Sequence, residues 1–172
     1  MEVFSGRDFL SYFRKYEDRA TESASKLRFI TEKSISKSKD NETTMTVDGP
    51  INAISDGENT ADFTSLAHTT DDDTIAMWEQ LEEWFDEGAL VEYWNVNARS
   101  LADDTVRAEY ARGYFTSFDI SYPADGQVEV SYSYAINGTP VKGEDTLTPE
   151  QIEDLQSAQY EYTQMQELGE SV

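Results

Sequence analysis

Two long runs of alternating residues around one turn constrain this chain more than any other feature. In residues 106–122 (VRAEYARGYFTSFDISY), Ala108, Tyr110, Tyr114, Phe118, Ile120 and Tyr122 fall on one side, interrupted by Arg112 and Thr116. Glu109, Ala111, Gly113, Ser117, Asp119 and Ser121 fall on the other, with Phe115 among them. Pro123-Ala124-Asp125-Gly126 supplies a turn, and residues 127–136 (QVEVSYSYAI) alternate again. A period of two is the signature of a strand with one wet face, so 106–136 reads as a β-hairpin. The aromatic and β-branched side (Tyr110, Tyr114, Phe118, Ile120, Val128, Val130, Tyr132, Tyr134) is predicted to be the core. Glu109, Asp119 and Glu129, among Ser117, Ser121, Ser131 and Ser133, are then left for the opposite face.

More strands flank this hairpin. Residues 27–35 and 43–47 read as a second hairpin across a 36–42 turn, broken by Asp48-Gly49-Pro50. Residues 51–62 read as a loop, and 63–67, 90–96 and 139–147 as further strands, with a turn at Asn137-Gly138. The clearest helix spans 71–87, where Ile75, Trp78, Leu81, Trp84 and Phe85 share one face. Asp71, Asp72 and Asp73 suit its N-terminus and Gly88 its left-handed stop. The expected fold is mainly β, a sandwich or barrel of roughly seven strands with one flanking helix. Residues 25–147 form its body, and 1–24 and 148–172 form polar terminal arms. Phe9, Phe13 and Tyr16 in the first arm leave a short helix open as an alternative, by their spacing.

Charge divides the chain. The net charge is −22, yet residues 1–40 hold nine of the 13 Lys and Arg and carry a slight positive balance. Everything after is strongly anionic, which disfavours a phosphate footprint and hence nucleic-acid binding. Solubility or a saline habitat would explain the acidity equally well. Lys37 and Lys39 stand out as candidates for contact with an acidic surface of an adjacent subunit. No basic region followed by an apolar run opens the chain and no stretch has transmembrane length, so a soluble product made in the cytoplasm is expected.

Chemistry is scarce. There is no cysteine, and His68 is the only histidine, without a second His nearby. No glycine-rich phosphate loop or nucleophile elbow occurs. The Asp71-Asp72-Asp73 run lacks the sixth-position glycine and the alternating ligands of a calcium loop. No catalytic, cofactor-binding or metal-binding residue is therefore assigned, and no enzyme is expected. A β module with exposed edges and polar arms works most simply by assembling.

Three stretches resemble the major tail proteins (tail tube proteins) of siphophages that infect Gram-positive bacteria. They are KLRFITEKSISKSKDNETTMTVDGPINAISDGE followed by FTSL, then MWEQLEEWFDEGALVEYWNVN, then RAEYARGYFTSFDISYPADGQVEVSYSYAINGTPVKGEDTLTPEQ. The order G-Y-x-T-S-F, V-x-V-S, I-N-G and T-L-T is the most specific part. The resemblance covers about Lys26 to Leu155, and the chain departs from it in its acidity and its scarcity of Lys after residue 39.

The resemblance implies a helix-flanked β-sandwich whose copies close into hexameric rings, one sheet from each lining a channel. Rings stack, arms and loops hold neighbours, and DNA passes through without specific binding. The implied partners are the chain itself, a tape measure protein inside the tube and tail-end proteins; the place is the virion tail. On this reading Glu109, Asp119 and Glu129 line the channel, and Lys37 and Lys39 make inter-ring contacts. A phage-tail-like particle would use the same subunit. A monomeric, acidic ligand-binding sandwich is the alternative from another class.

Overall fold

A computed structural model describes residues 2–69, 76–149 and 152–153. Ten strands and one helix follow in order: β1 Phe9–Lys15, β2 Ser25–Lys26, β3 Ile30–Ser36, β4 Lys39–Thr46, β5 Gly49–Asp56 and β6 Asn59–Leu66. Then come α1 Met77–Glu87, β7 Val91–Ala102, β8 Thr105–Ser121, β9 Glu129–Ile136 and β10 Val141–Thr146. Eight strands form one antiparallel sheet in the order β2-β1-β7-β8-β9-β6-β3, with β10 also on β8. β4 and β5 form a separate two-stranded sheet.

The ends of the large sheet, β2 and β3, are consecutive in the chain, joined only by residues 27–29. So short a link requires the sheet to roll until its ends meet, which makes the sandwich. Phe29 turns this corner at a φ of 59°. Lys33 of β3 spans the gap, its Nζ donating to Phe9 O, Ser11 Oγ and Asn95 Oδ1 at 3.2, 3.0 and 2.7 Å. No carboxylate accepts from it in these three bonds, and burial pushes its pKa down to about 8.

The core is aromatic. Phe13, Phe63, Tyr93, Phe115, Tyr132 and Tyr134 pack within the rolled sheet, with Phe13–Tyr93 centroids 5.0 Å apart. Their hydroxyls are satisfied, as buried polar groups must be. Tyr134 donates to Val91 O at 2.7 Å, and Tyr93 and Tyr132 bond Ser11 and Ser65. Burial pushes the Tyr132 phenol up to about 12. A second cluster, including Leu10, Tyr12, Val96, Val106 and Leu147, sits on the other side of β1, β7 and β8. At Gly113, where β8 moves from β7 to β9, an added Cβ would lie 1.8 Å from Ala135 O, so only glycine fits.

α1 ends as expected, with Gly88 at φ 65° and its N–H on Phe85 O. Leu81 is fully buried, while Trp78, Trp84 and Phe85 are partly buried against the core. Phe85 stacks on Phe118 of β8. Ala76 is the N-cap and makes no side-chain cap bond; Ile75 and Asp71, Asp72 and Asp73 lie outside the described residues.

Three expectations are corrected. Residues 1–24 are not simply an arm: Phe9–Lys15 is an integral strand paired along its length with β7. The 27–35 strand pairs not with 43–47 but with β6. Residues 36–62, read as turn, strand and loop, are mostly strand, with β4 and β5 making their own hairpin. Pairing is non-local, and alternation alone does not name a partner. The 148–172 arm falls almost wholly outside the described residues.

Candidate functional site

One face of the rolled sheet is polar and points away from the core. It is built by β3, β6, β9 and the C-terminal half of β8, side by side. Register places Ser34 beside Asp62, Asp62 beside Ser133, and Ser133 beside Ser117. The next levels hold Glu32, Thr64, Ser131 and Asp119, then Glu129 and Ser121. Ser133 Oγ donates to Asp62 Oδ1 at 2.7 Å, across two strands. Four carboxylates (Glu32, Asp62, Asp119, Glu129) stand among small hydroxyls, and no residue named on this face is Lys or Arg. Such a face is hydrated and anionic, and it repels phosphates at short range.

Asp119 and Glu129 therefore share a face, but Glu109 does not join them. A β-bulge between Phe115 and Ser117 shifts the alternation of β8 by one residue. Before it, Glu109, Ala111, Gly113 and Phe115 point to the sandwich interior; after it, Phe118 and Ile120 do. Glu109 sits at the mouth of that interior and is ion-paired with Lys37. Tyr114, expected in the core, is 42% exposed for the same reason. Val130, Tyr132, Tyr134 and Ile136 of β9 are buried.

Both lysines singled out for contact with another subunit have partners within the chain. Lys37 pairs with Glu109 and Lys39 with Asp56 across the β4–β5 hairpin. The hydrogen bond from Lys39, and then its charge, hold the Asp56 carboxyl below its usual value. The hairpin also leaves apolar side chains in water, Met45, Val47, Ile51 and Ile54 each being more than half exposed, among polar ones such as Asp40, Glu42 and Asn52. Its root is fixed by Asn59, which accepts from Ser38 N at 3.1 Å and donates to Gly138 O at 2.7 Å.

The polar sheet also has two open edges. β3 pairs only with β6 among the described residues, and β8 beyond Gly113 pairs only with β9. Exposed edges are templates for another strand. His68 lies near one end of this sheet; its carbonyl accepts from Trp78 Nε1 at 2.9 Å and its ring meets Phe29 edge-on. Among the described residues no cluster of three or more His, Cys, Asp and Glu could hold a metal ion, and no helix is long and apolar enough to cross a membrane.

Exposed edges are expected from sequence, but Glu32, Asp62 and the identity of the edge strands are not. The 59–66 stretch does alternate, with Ala61, Phe63 and Ser65 against Thr60, Asp62 and Thr64. That signal was available, but the Asp and Asn content of 51–62 masked it as loop.

Comparison with known proteins agrees with this architecture. The chain is 28% identical over 162 residues to the "Putative tail protein" of Staphylococcus phage phiMR25, covering 92% of this chain and 81% of that one. It shares its fold with the SPP1 tail tube at a TM-score of 0.72 and 21% identity, covering 98% of this chain and 96% of the other. The tail of a gene transfer agent particle, refined with C6 symmetry, matches at a TM-score of 0.58 and 14% identity, over 81% and 98% of the two chains. Residues 3–142 match the family described as phage tail tube protein, and the chain belongs to that family of structural tail subunits.

Proposed function

We propose that copies of this subunit close head to tail into hexameric rings, with the polar face of β3, β6, β9 and β8 as the channel wall for DNA. The observation that carries this is the pair of open edges on a segment of four strands. The strands alternate in direction, so β3 and β8 run oppositely. Copies related by rotation about one axis therefore place β3 of one antiparallel to β8 of the next. An even strand number lets the alternation continue around a closed barrel without a parallel seam. The C6 symmetry of the gene transfer agent tail supports a sixfold ring.

The β4–β5 hairpin then serves contact between rings. It is an isolated two-stranded element with apolar side chains in water, and such hairpins are marginal alone. Lys37 and Lys39 are paired within the chain, so the exposed apolar side chains of the hairpin are what this contact would bury. A tape measure protein would occupy the channel before DNA does, and tail-end proteins would cap the tube. No residue here is assigned catalysis.

The wall is tested by replacing Asp119 and Glu129 together with Lys. Tubes should still assemble, because both side chains are exposed on the polar face and strand joining at an edge uses backbone groups. DNA ejection should slow, most at low salt, where phosphate attraction is least screened. Ejection unchanged at every ionic strength would remove this face from the channel. Electron microscopy of the wild-type subunit that shows neither rings nor tubes would overturn the ring itself.

A further inference from the structure

Two large aromatics are left in water at one end of the polar sheet. Phe29 is 56% exposed and Tyr122 is 74% exposed. Each closes one of the unpaired edges: Phe29 directly precedes β3, and Tyr122 directly follows β8. The ladder puts them on one level, since Ile30 lies opposite Ser65, and Leu66 opposite Glu129, which faces Ser121. Within a subunit they cannot meet, because three inter-strand spacings, roughly 14 Å, separate the edges they end.

Phe29 carries a second anomaly. A bulky residue at φ 59° is an outlier that the surrounding structure must hold in place. Its carbonyl accepts from Leu66 N at 3.0 Å, which ties the corner to β6. Its ring touches His68 at a centroid distance of 4.8 Å yet stays mostly in water. The intrachain contacts thus explain the position of the backbone but leave the ring without cover.

We propose that Phe29 of one copy and Tyr122 of the next form an aromatic clasp across the seam of the ring. The inference rests on the head-to-tail ring proposed above. Antiparallel joining of β3 to the neighbouring β8 brings the start of one strand against the end of the other, and so brings these two rings together. Aromatic pairs prefer edge-to-face or offset contact with centroids about 4.5–7 Å apart, and burial of both faces removes two exposed apolar groups at once. The Tyr hydroxyl can stay in water at the rim. The clasp thereby fixes which edges meet and in which register, the property that β-strand pairing by itself specifies least.

The chain has no cysteine, which permits a direct test. Phe29→Cys and Tyr122→Cys subunits are each assembled into tubes with an excess of wild type, alone and together, and treated with a short bis-maleimide. Covalent dimers should form only in tubes that contain both variants, since each alone places its thiol against an aromatic ring. Tubes that contain both variants but yield no dimer overturn the clasp and leave the ring intact. Dimers from either variant alone also overturn it, because like positions would then meet like. Wild-type subunits that form no tube by electron microscopy overturn the ring, and the clasp with it.

Discussion

Two hairpins of this chain look alike on paper and behave as opposites. β8–β9 and β4–β5 are both antiparallel pairs of strands adjacent in the chain. Along β9 every second residue is buried, whereas β4 and β5 are exposed almost throughout. The first hairpin finds the aromatic interior of its own chain; the second projects away from it. A strand pair is stabilised by what covers its apolar face, not by its ladder alone. The contrast separates residues that fold the subunit from residues whose apolar side chains its own fold leaves in water.

The sharpest break of this contrast is a matched pair of truncations. Tyr132→Ala removes a ring that is 2% exposed, and Ile54→Ala one side chain that is 70% exposed. The first should lower unfolding free energy by about 3–5 kcal/mol, the second by less than about 0.5 kcal/mol. Denaturant unfolding of the dispersed subunit measures both, and equal losses would end the distinction.

A smaller effect concerns how the rolled sheet is held shut. Lys33 is depressed to about 8 by burial, so the unfolded chain binds more protons between that value and the ordinary lysine value. Its contribution is therefore complete only above the unfolded pKa and is lost as pH falls through about 8. Stability should rise by about 2 kcal/mol between pH 8 and 10 from this group. The buried tyrosines, whose pKa values are raised, act in the opposite direction only above their unfolded value. Lys33→Met should flatten the slope; an unchanged pH profile would show that the strut is not titrating there.

The least effect on the monomer belongs to the projecting hairpin. Replacement of residues 40–55 by a short glycine linker should change subunit stability by less than about 1 kcal/mol, since only its root is anchored, through Asn59. Tube formation, followed by light scattering and electron microscopy, should be lost. Normal tubes from this variant would return the hairpin to the status of a solvated loop.

Much of this was legible in the residues. The wet and dry faces of β9, the helix and its stop at Gly88, and the acid-and-serine character of Asp119 and Glu129 follow from periodicity and composition. The family followed from the order of short motifs, none of them catalytic. The failures share one cause. Phe9–Lys15 was read as arm or helix because mixed polarity hides a strand whose two sides face two different clusters, Phe13 in one and Leu10 and Tyr12 in the other.

By itself the sequence determined local states: which stretches could be strands, where the helix must end, and which side of an unbroken strand is apolar. Those properties depend on residues within a turn or two of each other. Tertiary structure alone decided that β3 joins β6, that β1 lies on β7, and that the sheet rolls until Lys33 of β3 reaches β1 and β7. It also decided that Glu109 faces an interior mouth while Asp119, ten residues on, faces outward. Alternation carries a face along a strand only while the ladder is regular. One extra residue at Thr116, accommodated because Ser133 of the partner strand skips it, reverses the assignment, and that register is set by packing across the whole sheet.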